Sequence, residues 1–526
     1  MITTTLEMKT DGAARVGGPR DRMAAAAPAP RSGAVAREQV IVPSRTIDKW
    51  HEPAAETQAY EERLLCSLLE LRDPTLRMTY VTSSPVAPAI IEYYLSLLPR
   101  RMRADARRRL RLVAVGDRSG RPLSQKLLDR PEVLERIRRT IRASAACHLV
   151  PYNTTPLELE VARALDIPLY GADPRHAHFG TKSGSRTLFA QAGVPHPAGV
   201  EDITSLATAV AGIVRLRKAR PAVAELVMKL NEGVSGEGNA IIDVRGLPAS
   251  GAPEEARLIE QRVVGLTLEA EGVSVDAYLG KLASRGGIIE ERITGRDLAS
   301  PSVQMQITPT GEVELLSTHD QILGGRRGQS YLGCRFPAEP SYAPTISAAA
   351  QQVARPLAEA GVIGRFAIDF VVARDERGGW AAHAIEINLR KGGTTHPFHA
   401  LKHLTGGTYD IERATFTIPT GQPRHYVATD HLEAPLLRSL GRDGVLALAR
   451  RGDLRFDRLQ RTGVVFHMLS SLDELGRVGF TAISDSPQGA QSLSDQVEAT
   501  LLREAGEAAC AATHRHNSSQ AAAIDG

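Results

Sequence analysis

The sequence predicts an α/β layer around a parallel sheet, followed by a strand-rich α+β unit and a smaller α+β segment. Three observations carry that prediction. The chain has 526 residues, more than one hydrophobic core serves. Between about residues 44 and 175, apolar strand-like runs alternate with helical runs, as in a sheet with crossover helices. Beyond Pro174 the texture changes, and from Val223 to Arg390 strands with glycine turns dominate.

Residues 1–43 are rich in Ala, Gly, Pro and Arg and lack hydrophobic periodicity, so they are expected to be disordered. Order is expected from about Ile41 to Ser44 onward. Residues 61–71 read as a helix, 77–86 as a strand entering a Ser/Pro loop, 89–99 as a helix and 109–117 as a strand. Residues 146–153 read as a further strand and 157–165 as a helix. These make a first domain over 44–175. A second domain is expected over 176–410. A third, over 411–508, contains helix 431–440, strands 464–469 and 479–484, and helix 493–505. Residues 509–526 read as a disordered tail.

Composition narrows the class. A hydrophobic content of 42% with 24% charged residues describes an ordinary globular chain. A net charge of +4 is too weak for a nucleic-acid binder of this length. The arginine-rich stretch from Arg100 to Arg142 reads as a solvated helix face or as a contact for a polyanion. The four cysteines, Cys66, Cys147, Cys334 and Cys510, show no metal-binding spacing, and Cys66 and Cys147 lie in apolar contexts. With no apolar run of membrane-spanning length and no secretory start, no membrane association and a cytoplasmic location are expected.

The most informative stretch is 365–397. It reads as a β-hairpin in which apolar, β-branched runs flank a Gly-rich turn. With residues 376–379 as the loop, Asp375 faces Trp380 and paired numbers sum to 755. Asp369 and Glu386 then oppose each other, and Asn388 shares their face. Opposed like charges destabilise a sheet, so a cation is expected between them; these oxygens suit Mg2+. A shifted register, with one carboxylate in solvent, is the alternative.

Three upstream segments add to this. A strand delivers Lys229 into a loop with Gly233, Ser235, Gly236 and Gly238, where backbone N–H groups can cradle phosphates. An ordinary flexible hairpin is the alternative. Residues 180–186 carry Lys182 into a helix expected to start near Arg186 with Ser185 as its cap, either beside an anion or as a plain surface helix. Residues 288–293 read as a strand whose adjacent Glu290 and Glu291 point to opposite faces. Beyond the hairpin, Arg390 shares the face of Asn388 in an extended chain. Lys391, His396, His399, Lys402 and His403 crowd nearby, with His396, His399 and Lys402 candidates for a carboxylate pocket.

In this order, the segments resemble the ATP-grasp superfamily. Residues 150–174, 180–197, 317–325, 328–337 and 386–397 are similar to the pheganomycin-type peptide ligases, over roughly residues 44–505. The resemblance implies an ATP-grasp fold preceded by an α/β pre-ATP-grasp domain and followed by a small α+β C-terminal domain. It implies an ATP-dependent carboxylate–amine ligase working through an acyl phosphate in specialised peptide metabolism. Lys182 and Lys229 would bind phosphates under the mobile loop of Gly233, Ser235, Gly236 and Gly238. Glu290, Glu291 and Ile293 would line the adenine and ribose site, the latter two through backbone atoms. Asp369, Glu386 and Asn388 would bind Mg2+, as two ions with Mn2+ as a substitute, and Arg390 would clamp the transferring phosphate, with Lys229 assisting. Asp297 is the sole acidic residue shortly after the hinge strand, where many ATP-grasp enzymes place a ribose ligand. The partners implied are an amino-acid-like carboxylate and an amine or peptide acceptor, and a homodimer is compatible. The alternatives are a non-catalytic nucleotide-binding partner and a ligase with a non-amine acceptor.

Overall fold

The computed structural model describes residues 37–47, 54–142, 144–233, 236, 238–270, 272–325, 328–375 and 377–524. Strands β1 (Arg37–Val42), β2 (Leu76–Thr82), β3 (Leu110–Ala114) and β4 (Cys147–Pro151) form a parallel sheet in the order β3-β2-β1-β4. β1 lies within the stretch expected to be disordered, so that expectation fails for Arg37–Val42; residues 1–36 lie outside the described residues. Val40, Ile41 and Val42 are fully buried, as a central parallel strand covered on both faces must be. So short a run has no periodicity to read.

Strands β5 (Gly199–Ile203), β6 (Glu225–Leu230), β7 (Asn239–Asp243) and β8 (Gly287–Glu291) form a small antiparallel sheet in the order β5-β8-β6-β7. Its core gathers Ile213, Met228, Ile259, Tyr278 and Ile289, joining the sheet to helices Leu206–Ala219, Glu255–Val264 and Val275–Arg285.

The large antiparallel sheet takes β9 (Arg296–Ala299), β10 (Pro301–Ile307), β11 (Val313–Gly324), β12 (Ser330–Phe336), β13 (Gly364–Arg374) and β14 (Trp380–Asn388). Helix Ala343–Glu359 covers one face through Ile346, Ala350, Val353 and Leu357. After the short ribbon of β15 (Thr408–Asp410) and β16 (Thr415–Thr417), strands β17 (His425–Glu433), β18 (Gly463–His467) and β19 (Arg477–Ser484) continue the same sheet. Its order is β14-β13-β10-β11-β12-β17-β19-β18, with β9 also pairing with β13. The α+β segment beyond residue 411 therefore extends the large sheet instead of building its own. One core runs from Leu65, Tyr80 and Tyr94 of the first layer to Phe466, Phe480 and Leu501 near the C-terminus.

Two expectations for this segment are corrected. Residues 431–440 are not one helix: β17 holds to Glu433, and the helix starts at Leu437 after Pro435, whose ring and missing N–H disfavour a helix interior. The last helix, Pro487–Ile524, runs through most of the tail expected to be disordered, where alanines, the strongest helix formers, are frequent. Cys66, Cys147 and Cys334 are buried thiols and Cys510 is exposed. Among the described residues, no helix is long and apolar enough to cross a membrane.

Candidate active-site cleft

A cleft of about 710 Å³ is lined by residues of the first layer, the small sheet and the large sheet. That volume is typical of small-molecule sites. One wall is the hairpin β13–β14. Asp369 does face Glu386, but the route to that pairing differs from expectation. Trp380 pairs with Arg374, not Asp375, so the turn register is off by one. A bulge at Ile385 restores it, giving Asp369–Glu386, Ile368–Ile387 and Ala367–Asn388. Asp375 instead closes the loop. Its N–H donates to the Gly379 carbonyl (2.8 Å), and its carboxylate accepts from the Gly379 N–H (2.8 Å).

The two carboxylates draw donors from three directions. The Asn388 amide donates to Asp369 Oδ2 and to Glu386 Oε1, both at 3.0 Å. Ser302 Oγ donates to Asp369 Oδ1 (2.6 Å), and the Lys182 ammonium pairs with Glu386. Burial, with the Glu386 charge beside it, holds the Asp369 carboxyl above the usual carboxylate range. Burial also pushes Glu386 up, but the Lys182 charge and hydrogen bond, the Asn388 amide and the Lys229 charge together outweigh it, and the net shift is downward. Positive or donor groups thus surround two opposed acids whose oxygens converge. A hard divalent cation fits this donor set, with the Asn388 amide turned to present its oxygen.

Lys182 begins the helix Lys182–Gln191, which starts four residues earlier than expected. Thr181 is its cap, accepting from the Gly184 N–H at 3.0 Å, and Ser185 is not. Buried Ser185 donates instead to the Phe179 carbonyl and accepts from the Ile387 N–H, each at 3.0 Å. This ties the first helical turn to β14 and brings Lys182 to Glu386.

On the small sheet, Lys229 Nζ donates to Glu290 Oε1 (2.6 Å), and Arg186 Nη1 donates to Glu290 Oε2 (2.8 Å). Glu290 lines the cleft but both its oxygens are engaged. Glu291 and Ile293 also line it. The Glu291 N–H is committed to the Ala198 carbonyl (2.8 Å), so a backbone contact there falls to its carbonyl. Gly233 and Gly236 line the cleft, and Gly238 closes the loop base by accepting from the Leu230 N–H (3.1 Å). Gly236 has φ +78°, and a Cβ there would run into the Gln329 carbonyl oxygen. Ser235 lies outside the described residues. Asp297 is exposed and is not among the cleft-lining residues.

Arg390 lines the cleft, but not on an extended strand: its N–H turns back to the Asn388 carbonyl (2.8 Å). The expected crowd of Lys391, His396, His399, Lys402 and His403 is absent from the lining. From Thr395 these residues lie on the helix Thr395–Thr405, which packs into the core through Phe398 and Leu401. His396 and His467 both bond Asp430 Oδ1 (3.1 and 2.6 Å), and His399 reaches Glu70 (3.2 Å). Burial pushes His396 down to about 4 and Lys391 to about 7. Positive charge at that end of the cleft comes instead from Arg45 and Arg63 of the first layer, with Arg390. Neither first-layer arginine carries a local motif, so nothing in the sequence singles them out.

A family model described as IQCH-like, ATP-grasp matches residues 175–265 and 269–412, and one for the PGM1 C-terminal domain matches 445–497. The chain is 32% identical over 447 residues to the L-propargylglycine–L-glutamate ligase of Streptantibioticus cattleyicolor, covering 84% of this chain and 89% of that protein. It is 25% identical over 473 residues to IQ motif-containing protein H of Danio rerio, covering 80% of this chain and 44% of that protein. Among solved structures, the biotin carboxylase domain of Hydrogenobacter thermophilus 2-oxoglutarate carboxylase, in complex with MgADP, ADP and bicarbonate, matches with a TM-score of 0.52 at 14% identity, over 86% of each chain. The ADP complex of N5-carboxyaminoimidazole ribonucleotide synthetase matches with a TM-score of 0.50 at 10% identity, over 88% of this chain and 96% of that one. Those two likenesses concern the fold alone.

Proposed function

The chain belongs to the ATP-grasp peptide ligases, and from that premise we propose that it joins an amino-acid-like carboxylate to an amine through ATP. The observation that carries this reading is the convergence of Lys182 and the Asp369–Glu386–Asn388 set on one wall of the cleft that Lys229 and the glycine loop also line. The similar ligase is named for joining two amino acids, which supports an amino acid or peptide as acceptor.

In the proposed reaction the substrate carboxylate attacks the γ-phosphate of ATP, giving an acyl phosphate and ADP. The amine then displaces phosphate and forms the amide. Lys182 and Lys229 hold phosphate oxygens, and Arg390 neutralises the group in transfer. Gly233, Gly236 and Gly238 would meet the phosphates through their backbone N–H groups. Glu290 holds Lys229 in place, while Glu291 and Ile293 meet the adenine through main-chain atoms. Asp369, Glu386 and Asn388 would hold Mg2+, as two ions with Mn2+ an acceptable substitute, and the metal would supply charge neutralisation for an anionic nucleophile approaching the triphosphate. Closure of the loop keeps water from the acyl phosphate. We place the reaction in the cytoplasm, in specialised peptide metabolism; a homodimer is compatible with it.

The test is ADP release by the purified chain across a matrix of amino-acid carboxylates and amines, with product masses read in parallel. An amide product with ADP and phosphate in equal amounts supports the reading. Mg–ATP binding without turnover across the matrix would leave a nucleotide-binding partner; an ester or thioester product would change the acceptor.

A further inference from the structure

The histidines of the helix Thr395–Thr405 are not spent on the cleft, and two of them form a group of their own. His399 and His403 are four residues apart, so they stand on one face of the helix. Their rings lie 4.3 Å apart, centroid to centroid. That face meets the 3-10 helix Glu62–Arg72 of the first layer, which brings Glu70 to them. One oxygen of Glu70 and one nitrogen of each ring lie within 4.8 Å of one another. Ligands of one tetrahedral zinc lie about 3.3 Å apart, so small side-chain rotations would close the set.

The bonding around these three atoms is unfinished. His399 is 6% exposed. Its Nε2 lies 3.2 Å from Glu70 Oε1, yet it makes no aligned hydrogen bond among the described residues. A buried ring nitrogen left this way points to an absent partner. The other carboxylate oxygen is held from behind, since Gln39 Nε2 donates to Glu70 Oε2 at 3.3 Å. This is the kind of outer bond that orients a metal-binding carboxylate. Burial lowers His399 and pushes His403 down to about 3, so both imidazoles are neutral at neutral pH, the form a metal takes. Glu70 is 24% exposed and His403 half-buried, which leaves a route for an ion and room for a water.

The second cluster, His396, Asp430 and His467, lacks these features. Both of its imidazoles bond the same oxygen, Asp430 Oδ1, and the Arg63 guanidinium takes Oδ2. A cation is already in place there. Around Glu70 the positive groups are turned elsewhere. Arg365 donates to Gln306 Oε1 (3.3 Å), the Lys391 ammonium bonds the Pro151 carbonyl, and Lys402 is exposed. Their charges still act on Glu70, so the site is expected to be weaker than a thiolate site.

We propose that Glu70, His399 and His403 bind a divalent ion of the zinc class, which staples the first layer to the helix behind the cleft. Two imidazole nitrogens and one carboxylate suit Zn2+ and not Mg2+, which takes oxygen ligands. The stapled helix follows directly on Gly392, Gly393 and Thr394, which line the cleft. The ion thus holds one cleft wall against the first layer without touching the cleft itself.

The experiment titrates the full chain, stripped of metal, with Zn2+ in an excess of Mg2+. Mg2+ occupies oxygen sites and leaves imidazoles free. Calorimetry and the melting temperature are read together. Zn2+ is expected to bind and, at about a hundredfold above its Kd, to raise the melting temperature by about 3 °C. His403→Gln and Glu70→Gln are each expected to weaken Zn2+ at least about tenfold and to abolish that rise. Circular dichroism checks their folds, and either variant alone keeps the test valid if the other does not fold. Co2+ in place of zinc should give the visible absorption of a four-coordinate ion, lost in both variants. Zn2+ affinity unchanged in a folded variant, which would place the ion elsewhere, overturns the proposal. So does an unmutated chain that binds no Zn2+, or one whose melting temperature Zn2+ does not raise.

Discussion

Two carboxylate sites, one on the cleft wall and one behind it, are built in opposite ways. At the β13–β14 wall, Asp369 and Glu386 face each other across a ladder and share the Asn388 amide, while Ser302 bonds Asp369 and Lys182 pairs with Glu386. Behind the cleft one carboxylate, Asp430, is surrounded by Arg63, His396 and His467. The first arrangement has an excess of acid and the second an excess of donors. An excess of acid stores repulsion that an incoming cation relieves. An excess of donors locks a framework. Removing an acid should therefore stabilise the empty chain at the first site and unfold it at the second.

The largest expected effect tests the first half of that contrast. Glu386→Ala or Asp369→Ala should lower the rate of ADP release by about a thousandfold, since charge neutralisation at the phosphates is lost. Without Mg2+, Asp369→Asn should nevertheless raise the melting temperature, because it deletes one of two opposed like charges while keeping the shape. Full turnover in either alanine variant would remove these residues from the metal site. A lowered melting temperature in Asp369→Asn would end the claim of stored repulsion.

The Asp430 site should respond with the other sign. Arg63→Met leaves Asp430 without its guanidinium in a fully buried place, at a cost of about 3 kcal/mol. Urea unfolding measures this. Adding Asp430→Asn should recover much of the loss, because the uncompensated charge and not the missing packing dominates it. A double variant as unstable as the single one would mean that Arg63 acts through packing against Tyr60.

The same contrast explains what the sequence could reveal. The pairing of Asp369 with Glu386 was legible because both lie within one hairpin, where strand period and turn position place side chains relative to each other. Even so, the turn register was wrong by one residue, and the Ile385 bulge, which has no sequence signal, restored it. Lys182 was placed beside a helix start, but that start was misplaced because Thr181 and Ser185 are both good caps. Only the tertiary bond from Ser185 to Ile387 decides between them. The Asp430 site was illegible. Arg45, Tyr60, Arg63, Tyr152 and Asp430 meet only because the first layer and the large sheet share a core. His396, His399 and Lys402 were drawn to the site by proximity in sequence, whereas their helix turns them into that core. Strand β17, which carries Asp430, was read in part as helix because its buried polar residues break the alternation of a strand.

Acid should separate the two sites by a smaller effect. Burial pushes His396 and His431 down to about 4 from 6.5. Between those values the unfolded chain binds protons that the folded chain does not, so stability falls as pH falls through that window. Replacing His431 with Gln should flatten the dependence of melting temperature on pH there. At the β13–β14 wall Asp369 is shifted the opposite way, so the folded chain holds a proton longer. Because Mg2+ needs the carboxylate form, its affinity should tighten as pH rises, with proton release on binding. Equal Mg2+ affinity at pH 6 and pH 8 would contradict that shift.

The smallest effect concerns the glycine loop, and two glycines with the same backbone strain isolate it. Gly236 (φ +78°) and Gly246 (φ +69°) both sit in the left-handed region, so alanine at either should cost about 1 kcal/mol of strain. They differ in what surrounds them. A Cβ at Gly246 meets nothing within 4 Å, whereas one at Gly236 meets the Gln329 backbone across the cleft. If that close approach matters only for folding, Gly236→Ala loses more stability than Gly246→Ala and both keep the same KM for ATP. If the loop must reach the large sheet to cover the phosphates, Gly236→Ala alone raises the KM for ATP, by about fivefold, with kcat little changed. A raised KM in Gly246→Ala as well would mean that strain anywhere in the small sheet, and not contact with Gln329, sets nucleotide binding.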